Sequence, residues 1–178
     1  RQMWPWAHLA LGYALFSLYQ RRQYGRPPTG DGVIALAIAT QIPDLIDKPL
    51  AYWAGVFPAG RALFHSLVFA VPLLVVLAIL ARNRDSASIQ GFGIGYASHL
   101  LGDFWQALVV FDISETTLFW PILPVLDYPT NTFSKHLSEL ATTLSPTDPV
   151  ATITSHPVFY GEIVFTVLVF GLWVVEGQ

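Results

Sequence analysis

Apolar residues along the chain gather into five blocks: Trp6 to Tyr19, Gly32 to Pro43, Ala62 to Ala81, Ala87 to Phe111 and Val158 to Val175. A helix needs about 20 apolar residues to cross the hydrocarbon layer of a bilayer. The third, fourth and fifth blocks approach or exceed that length, and the first two are short. The second stops at Ile42-Pro43-Asp44 and resumes through Leu50 to Phe57. The Pro43 ring lacks the backbone donor that a continuous helix requires, and a broken helix in lipid is tolerated where it lines a cavity. Gly91-x-x-x-Gly95 in the fourth block offers a small-residue face on which another helix can pack closely; without a strand and turn before it, the pattern is no dinucleotide fingerprint. The sequence therefore predicts an all-α fold, a polytopic membrane helix bundle with about five membrane helices, some short or broken. Residues 1–178 read as one membrane-embedded domain. Within it, 112–157 reads as an outer loop or interfacial lid that contains the proline-broken run Leu118-Phe119-Trp120-Pro121-Ile122-Leu123-Pro124.

Composition sharpens this picture. Hydrophobic residues make up 53% of the 178 and charged residues 12%, about half the charged share of a soluble domain. A net charge of -3 argues against a nucleic-acid partner or a polybasic membrane anchor. Cysteine is absent, so any metal must be held by imidazole and carboxylate. The first block carries His8 and is followed by arginines instead of a small-residue cleavage site, so it is expected to stay in the mature protein. Alternating the blocks across a bilayer sets Arg21, Arg22, Arg26, Arg82 and Arg84 on one side, against Lys48, Arg61, Lys135 and Arg1 on the other. The arginine-rich side is assigned to the cytoplasm. That puts the N-terminus outside and the C-terminus inside a prokaryotic plasma membrane.

Ionisable side chains inside apolar helices cost a few kcal/mol each and are functional candidates. Here they are His8, Asp44, Asp47, His65, His99, Asp103 and Glu162. Alternating helix directions carry the first six to the same, outer face. His99 and Asp103 are spaced i, i+4 and Asp44 and Asp47 i, i+3, so each pair can point inward from one helix face. Three imidazoles and three carboxylates suit zinc, or another divalent transition metal such as manganese, as one ion or two. Taken singly, each residue has a plainer reading. His8 suits an interfacial aromatic belt and Asp44 a helix-end cap; His65 could meet Ser66 or a backbone carbonyl, and His99 with Asp103 could form an interhelical clamp.

Four segments carry a family resemblance: Trp4-Pro5-Trp6-Ala7-His8-Leu9, Ile42-Pro43-Asp44-Leu45-Ile46-Asp47, Phe64-His65-Ser66-Leu67 and Ala97-Ser98-His99-Leu100-Leu101-Gly102-Asp103. In order and spacing they resemble the YdjM-type membrane-bound metal-dependent hydrolases, from about Met3 to Trp120. The same order of ligand types is similar to that of zinc-dependent phospholipase C and the related single-strand nucleases. The family resemblance implies hydrolase activity. The more distant one implies that Asp103 bridges two ions, with His8 on one and Asp44 or Asp47, His65 and His99 on the other. Those enzymes hold a third ion with further histidines and a glutamate; His136, Glu139, His156 and Glu162 are the candidates here, and none has a matching local motif.

The chemistry that suits such a site is hydrolysis of a phosphoester, in a phospholipid or a lipid-linked phosphate, by metal-activated water. Arg61, four residues before His65, is expected to share its helix face and to hold a phosphate bidentately, with Lys48 as a point charge. Asp47, where it is not a ligand, is the candidate general base. Serine hydrolysis is disfavoured because Ser66 lies in no Gly-x-Ser-x-Gly elbow, and a His-Glu-x-x-His protease motif is absent. Two other classes stay open. A metal-ion or proton transporter or channel would also place His and Asp in helices, but it needs polar stations on both sides of the midplane, and Leu73 to Leu80 is purely apolar. A non-catalytic scaffold would tolerate loss of all six residues.

Overall fold

The computed structural model describes residues 3–84, 86–110, 118–123, 138, 141 and 156–177. Six helices form among them: α1 (Pro5–Tyr24), α2 (Gly30–Ala39), α3 (Ile42–Tyr52), α4 (Leu67–Arg84), α5 (Ala87–Val110) and α6 (Pro157–Val175). No strand occurs among the described residues, and the fold is all-α. Proline stands in the first turn of α1, α3 and α6, where its missing N–H costs nothing. Pro43 so placed starts α3 afresh after α2. At the end of α1, Gly25 adopts φ 66° and its N–H bonds the Arg21 carbonyl, a left-handed stop that favours glycine.

Among the described residues, α6 is the helix both long and apolar enough to cross a membrane, with mean hydropathy 2.1 over its span. The other two long blocks fall short for identifiable reasons. Helix α4 starts at Leu67, five residues later than its apolar block, and ends on Arg82, Asn83 and Arg84; α5 carries Gln90, Ser98, His99 and Asp103 among its apolar residues. Val71, Val75 and Ile79 of α4 and Val164, Val167, Leu168 and Val174 of α6 face outward. Such continuous apolar faces suit a lipid surround.

The tightest contact in the bundle joins α2 to α5. A Cβ on Gly91 would lie 2.1 Å from the Gly32 carbonyl oxygen, and one on Gly95 would lie 2.7 Å from that of Leu36. The Gly91-x-x-x-Gly95 face is therefore the surface on which α2 lies, and the two helices run parallel, one turn matching one turn. Helix α1 crosses both, with Gly12 against Thr40 and Ser98. Tyr13 and Phe16 of α1 pack with Leu36 and Val169 in one apolar cluster. Ala39, Ala70, Tyr96 and Leu100 form a second, between α2, α4 and α5.

Helices α1 and α6 run parallel and are tied at both ends. At their starts the Trp4 N–H donates to Glu162 Oε2 (3.1 Å), beside the stacked rings of Trp4 and Trp6. At their ends Glu176 accepts hydrogen bonds from Tyr13 Oη, Ser17 Oγ (2.5 Å) and Arg21 Nε (2.8 Å). Burial alone pushes the Glu176 carboxyl up, but these donors outweigh it and hold the group below its ordinary value.

Two predictions follow from this packing. Gly95→Leu should lower the thermal midpoint in detergent by the cost of overpacking, about 1–3 kcal/mol or more. Gly93→Ala, whose nearest neighbour would be Leu77 Cβ at 3.8 Å, should be neutral or stabilise by up to about 1 kcal/mol; equal effects would contradict the close approach of α2. Glu176→Gln should destabilise at pH 7. A depressed folded pKa stabilises fully above the unfolded value of about 4.3. Thermal midpoints of wild type and variant should therefore converge as pH falls through the lower, folded value.

Candidate metal centre

Five ionisable side chains from four segments meet at one end of the bundle: His8 of α1, Asp44 of α3, His65 of the loop before α4, and His99 and Asp103 of α5. Their ligating atoms form two overlapping groups, His8 with His99 and Asp103, and Asp44 with His65 and His99, each within 4.8 Å of one another. His65 Nε2 lies 3.1 Å from His99 Nε2, 3.5 Å from Asp44 Oδ1 and 3.5 Å from Asp103 Oδ2. His8 Nε2 lies 3.4 Å from Asp103 Oδ1, and its ring stacks on that of His99 at 4.0 Å between centroids. His8, His65 and His99 are buried.

The two central imidazoles have fixed orientations. His99 Nδ1 lies 2.7 Å from the Thr40 carbonyl oxygen, which the break between α2 and α3 leaves available as a helix-end acceptor. His65 Nδ1 lies 2.8 Å from Asp47 Oδ2. A carbonyl and a carboxylate accept, so each Nδ1 carries a proton, and in a neutral ring Nε2 then presents a lone pair. With both rings neutral, two lone pairs would face each other at 3.1 Å, an arrangement that a proton or a metal ion between them relieves. Asp44 Oδ1, Asp103 Oδ1 and both ring nitrogens of His8 are buried without a hydrogen-bond partner. One shared proton cannot serve so many acceptors.

The spacing also fits a metal. A tetrahedral zinc ion with N and O ligands at about 2.0–2.2 Å holds them about 3.3–3.6 Å apart, and the distances around His65 Nε2 run from 3.1 to 3.5 Å. The donor set of imidazole and carboxylate suits a borderline divalent cation. These groups can hold a metal ion.

The remaining candidates stand elsewhere. Asp47 belongs to neither ligand group; it is fully buried, and its oxygens face the backbone N–H groups of Ala62 (2.9 Å), Phe64 (3.0 Å) and His65 (3.3 Å). Winding around this carboxylate keeps 62–65 out of helix. That corrects the expectation of a shared helix face for Arg61 and His65, which instead lie in an irregular loop. Arg61 Nη1 is 3.6 Å from Asp103 Oδ2, at the margin of the pocket. Lys48 bonds the second oxygen of Asp44 at 2.6 Å. Glu162 receives the Trp4 N–H, and His156 precedes α6. His136 and Glu139 lie outside the described residues.

Sequence reasoning passed over Thr40, Tyr96 and Gly102. Thr40 acts through its backbone, which no side-chain pattern reveals. Tyr96 donates its hydroxyl to the Phe64 carbonyl (2.7 Å), bracing the His65 loop, and its i-3 spacing from His99 was the available clue. Gly102 leaves room for His8: a Cβ there would sit 3.2 Å from His8 Nδ1. On the far side of His65, Leu67 N–H donates to the Leu118 carbonyl (2.8 Å) and Ser66 Oγ to the Trp120 carbonyl, so segment 118–123 is fastened beside the pocket.

No curated protein and no solved structure matches the chain. Residues 3–178 do match the family described as YdjM inner membrane protein, and this helical membrane protein belongs to that family.

Proposed function

We propose that this protein is a membrane-embedded, metal-dependent hydrolase that cleaves a phosphoester of a phospholipid or a lipid-linked phosphate. The observation that carries the reading is the convergence of His99 Nε2, Asp44 Oδ1 and Asp103 Oδ2 within 3.1 to 3.5 Å of His65 Nε2, beside buried acceptors that lack a hydrogen-bond partner. Asp44, His65 and His99 would hold one divalent ion, zinc by donor type, and His8 with Asp103 and the shared His99 would offer a second position beside it. Bound there, such ions supply activation of water and neutralisation of a phosphoryl group.

The chain's own residues do the rest. Arg61, one-fifth exposed, sets its guanidinium beside Asp103 at the margin of the pocket, where its planar charge suits a phosphate. Lys48 neutralises Asp44, which limits the cost of two buried carboxylates at one point. Phe119, Ile122 and Leu123 of the segment fastened to Ser66, with Trp53 and Val56 of the loop after α3, form exposed apolar surface near His65. An amphiphile can lay its chains there while its headgroup reaches Arg61. The arginine-rich ends of α1 and α4 face the cytoplasm, and the pocket faces out.

Purified protein should carry close to stoichiometric divalent metal, and His99→Ala and Asp103→Ala should lose it by elemental analysis; unchanged metal in both variants defeats the reading. Hydrolysis of phospholipid or isoprenoid phosphate should stop on chelation and return with zinc or manganese. Arg61→Lys should raise KM about tenfold, the equivalent of one charged hydrogen bond of about 1.5 kcal/mol, with little change in metal content. Metal-driven flux into sealed vesicles without hydrolysis would establish a transporter instead.

A further inference from the structure

Asp47 is the one carboxylate of the region whose oxygens are fully engaged. Oδ2 faces Ala62 N, Phe64 N, His65 N and His65 Nδ1, and Oδ1 receives a second contact from Phe64 N at 3.2 Å. Its side chain is entirely buried. An anion ringed by backbone N–H groups is the arrangement found in anion-binding nests, here filled by the protein's own side chain. The loop is wound around it, and the wound loop ends on His65.

We infer that Asp47 is a positioning residue, neither a metal ligand nor the general base: it shapes the loop 62–65 and pins the His65 proton on Nδ1, so that Nε2 is presented to the pocket. The inference rests on the metal-centre reading for its consequence, but its geometric content stands apart from it. A ligand or base must turn a lone pair towards ion, water or substrate, and Asp47 turns its oxygens to four donors. His65 and His99 are oriented by different means. The carboxylate behind His65 both fixes the ring and makes it more basic, as carboxylate partners of metal-bound histidines do. The Thr40 carbonyl behind His99 fixes the ring without adding charge.

The test uses the full chain in detergent. With 15N-labelled histidine and no metal, the wild-type His65 ring should carry its proton on Nδ1, and Asp47→Asn should move a measurable share to Nε2. Zn2+ affinity, read by competition with a chelator, should fall about 10- to 100-fold in Asp47→Asn. At saturating Co2+, X-ray absorption should report the wild-type number of ligands. Adding Asp47→Asn to His65→Ala should weaken Zn2+ binding no further. A wild-type ring with no proton on Nδ1, unaltered Zn2+ affinity in Asp47→Asn, or loss of one ligand from its Co2+ shell would each overturn the inference. Should Asp47→Asn fail to fold, the wild-type tautomer alone decides. A wild type that binds neither Zn2+ nor Co2+ defeats the metal-centre reading, and the tautomer still judges Asp47.

Discussion

The close approach of α2 and α5 is the constraint on which the rest of the structure depends. Gly91 against Gly32 and Gly95 against Leu36 bring two backbones into contact, because neither glycine interposes a side chain. The helices are parallel and in step, so the next turn sets His99 against Thr40. At that point α2 ends, since Pro43 begins α3 and Thr40 retains an acceptor with no helical donor. A longer side chain at either glycine would push His99 off this carbonyl and let its ring turn. Packing that holds the bundle together thus also chooses which imidazole nitrogen faces the pocket.

The two polar ends of the bundle solve the cost of buried charge in different ways. Beyond α6, Glu176 is surrounded by Tyr13, Ser17 and Arg21, and further along α1 Gln20 bonds Gln90, which in turn bonds Tyr24. Donors and acceptors there answer one another. At the other end Asp44 and Asp103 meet three imidazoles, and several buried polar atoms lack a hydrogen-bond partner. Lys48 and Arg61 offset the two carboxylates in net charge but leave Asp44 Oδ1 and Asp103 Oδ1 without hydrogen-bond partners. Unpaired buried acceptors of this kind are expensive, a cost that the proposed metal centre would offset.

Much of this was legible in the sequence because it depends on periodicity and chain direction. Alternating apolar blocks were enough to bring His8, Asp44, His65, His99 and Asp103 to one end, and the Gly-x-x-x-Gly spacing marked the face that α2 covers. What escaped was local and backbone-mediated. The apolar run from Ala62 reads as helix, yet its first residues give their N–H groups to Asp47; a buried anion outcompetes helix propensity over four residues. Asp44 and Asp47 looked equivalent at i, i+3. In the folded chain, one oxygen of Asp44 turns to the pocket and both of Asp47 turn to the loop, a difference set by α4's starting point and invisible in spacing.

The distribution of polar groups also bears on hydrolysis against transport. A conduction path needs stations that hand an ion along the bundle. Below His99, α5 presents Gly95 and Gly91 to α2 at backbone contact, which leaves no lumen between them. Helix α4 contributes Leu73 and Leu74 to the neighbouring apolar cluster. The next ionised group along α1 is Arg21, half-exposed and already bound to Glu176. Among the described residues the polar cluster therefore stops at this glycine contact, which supports the proposed hydrolase over a chain of stations for an ion.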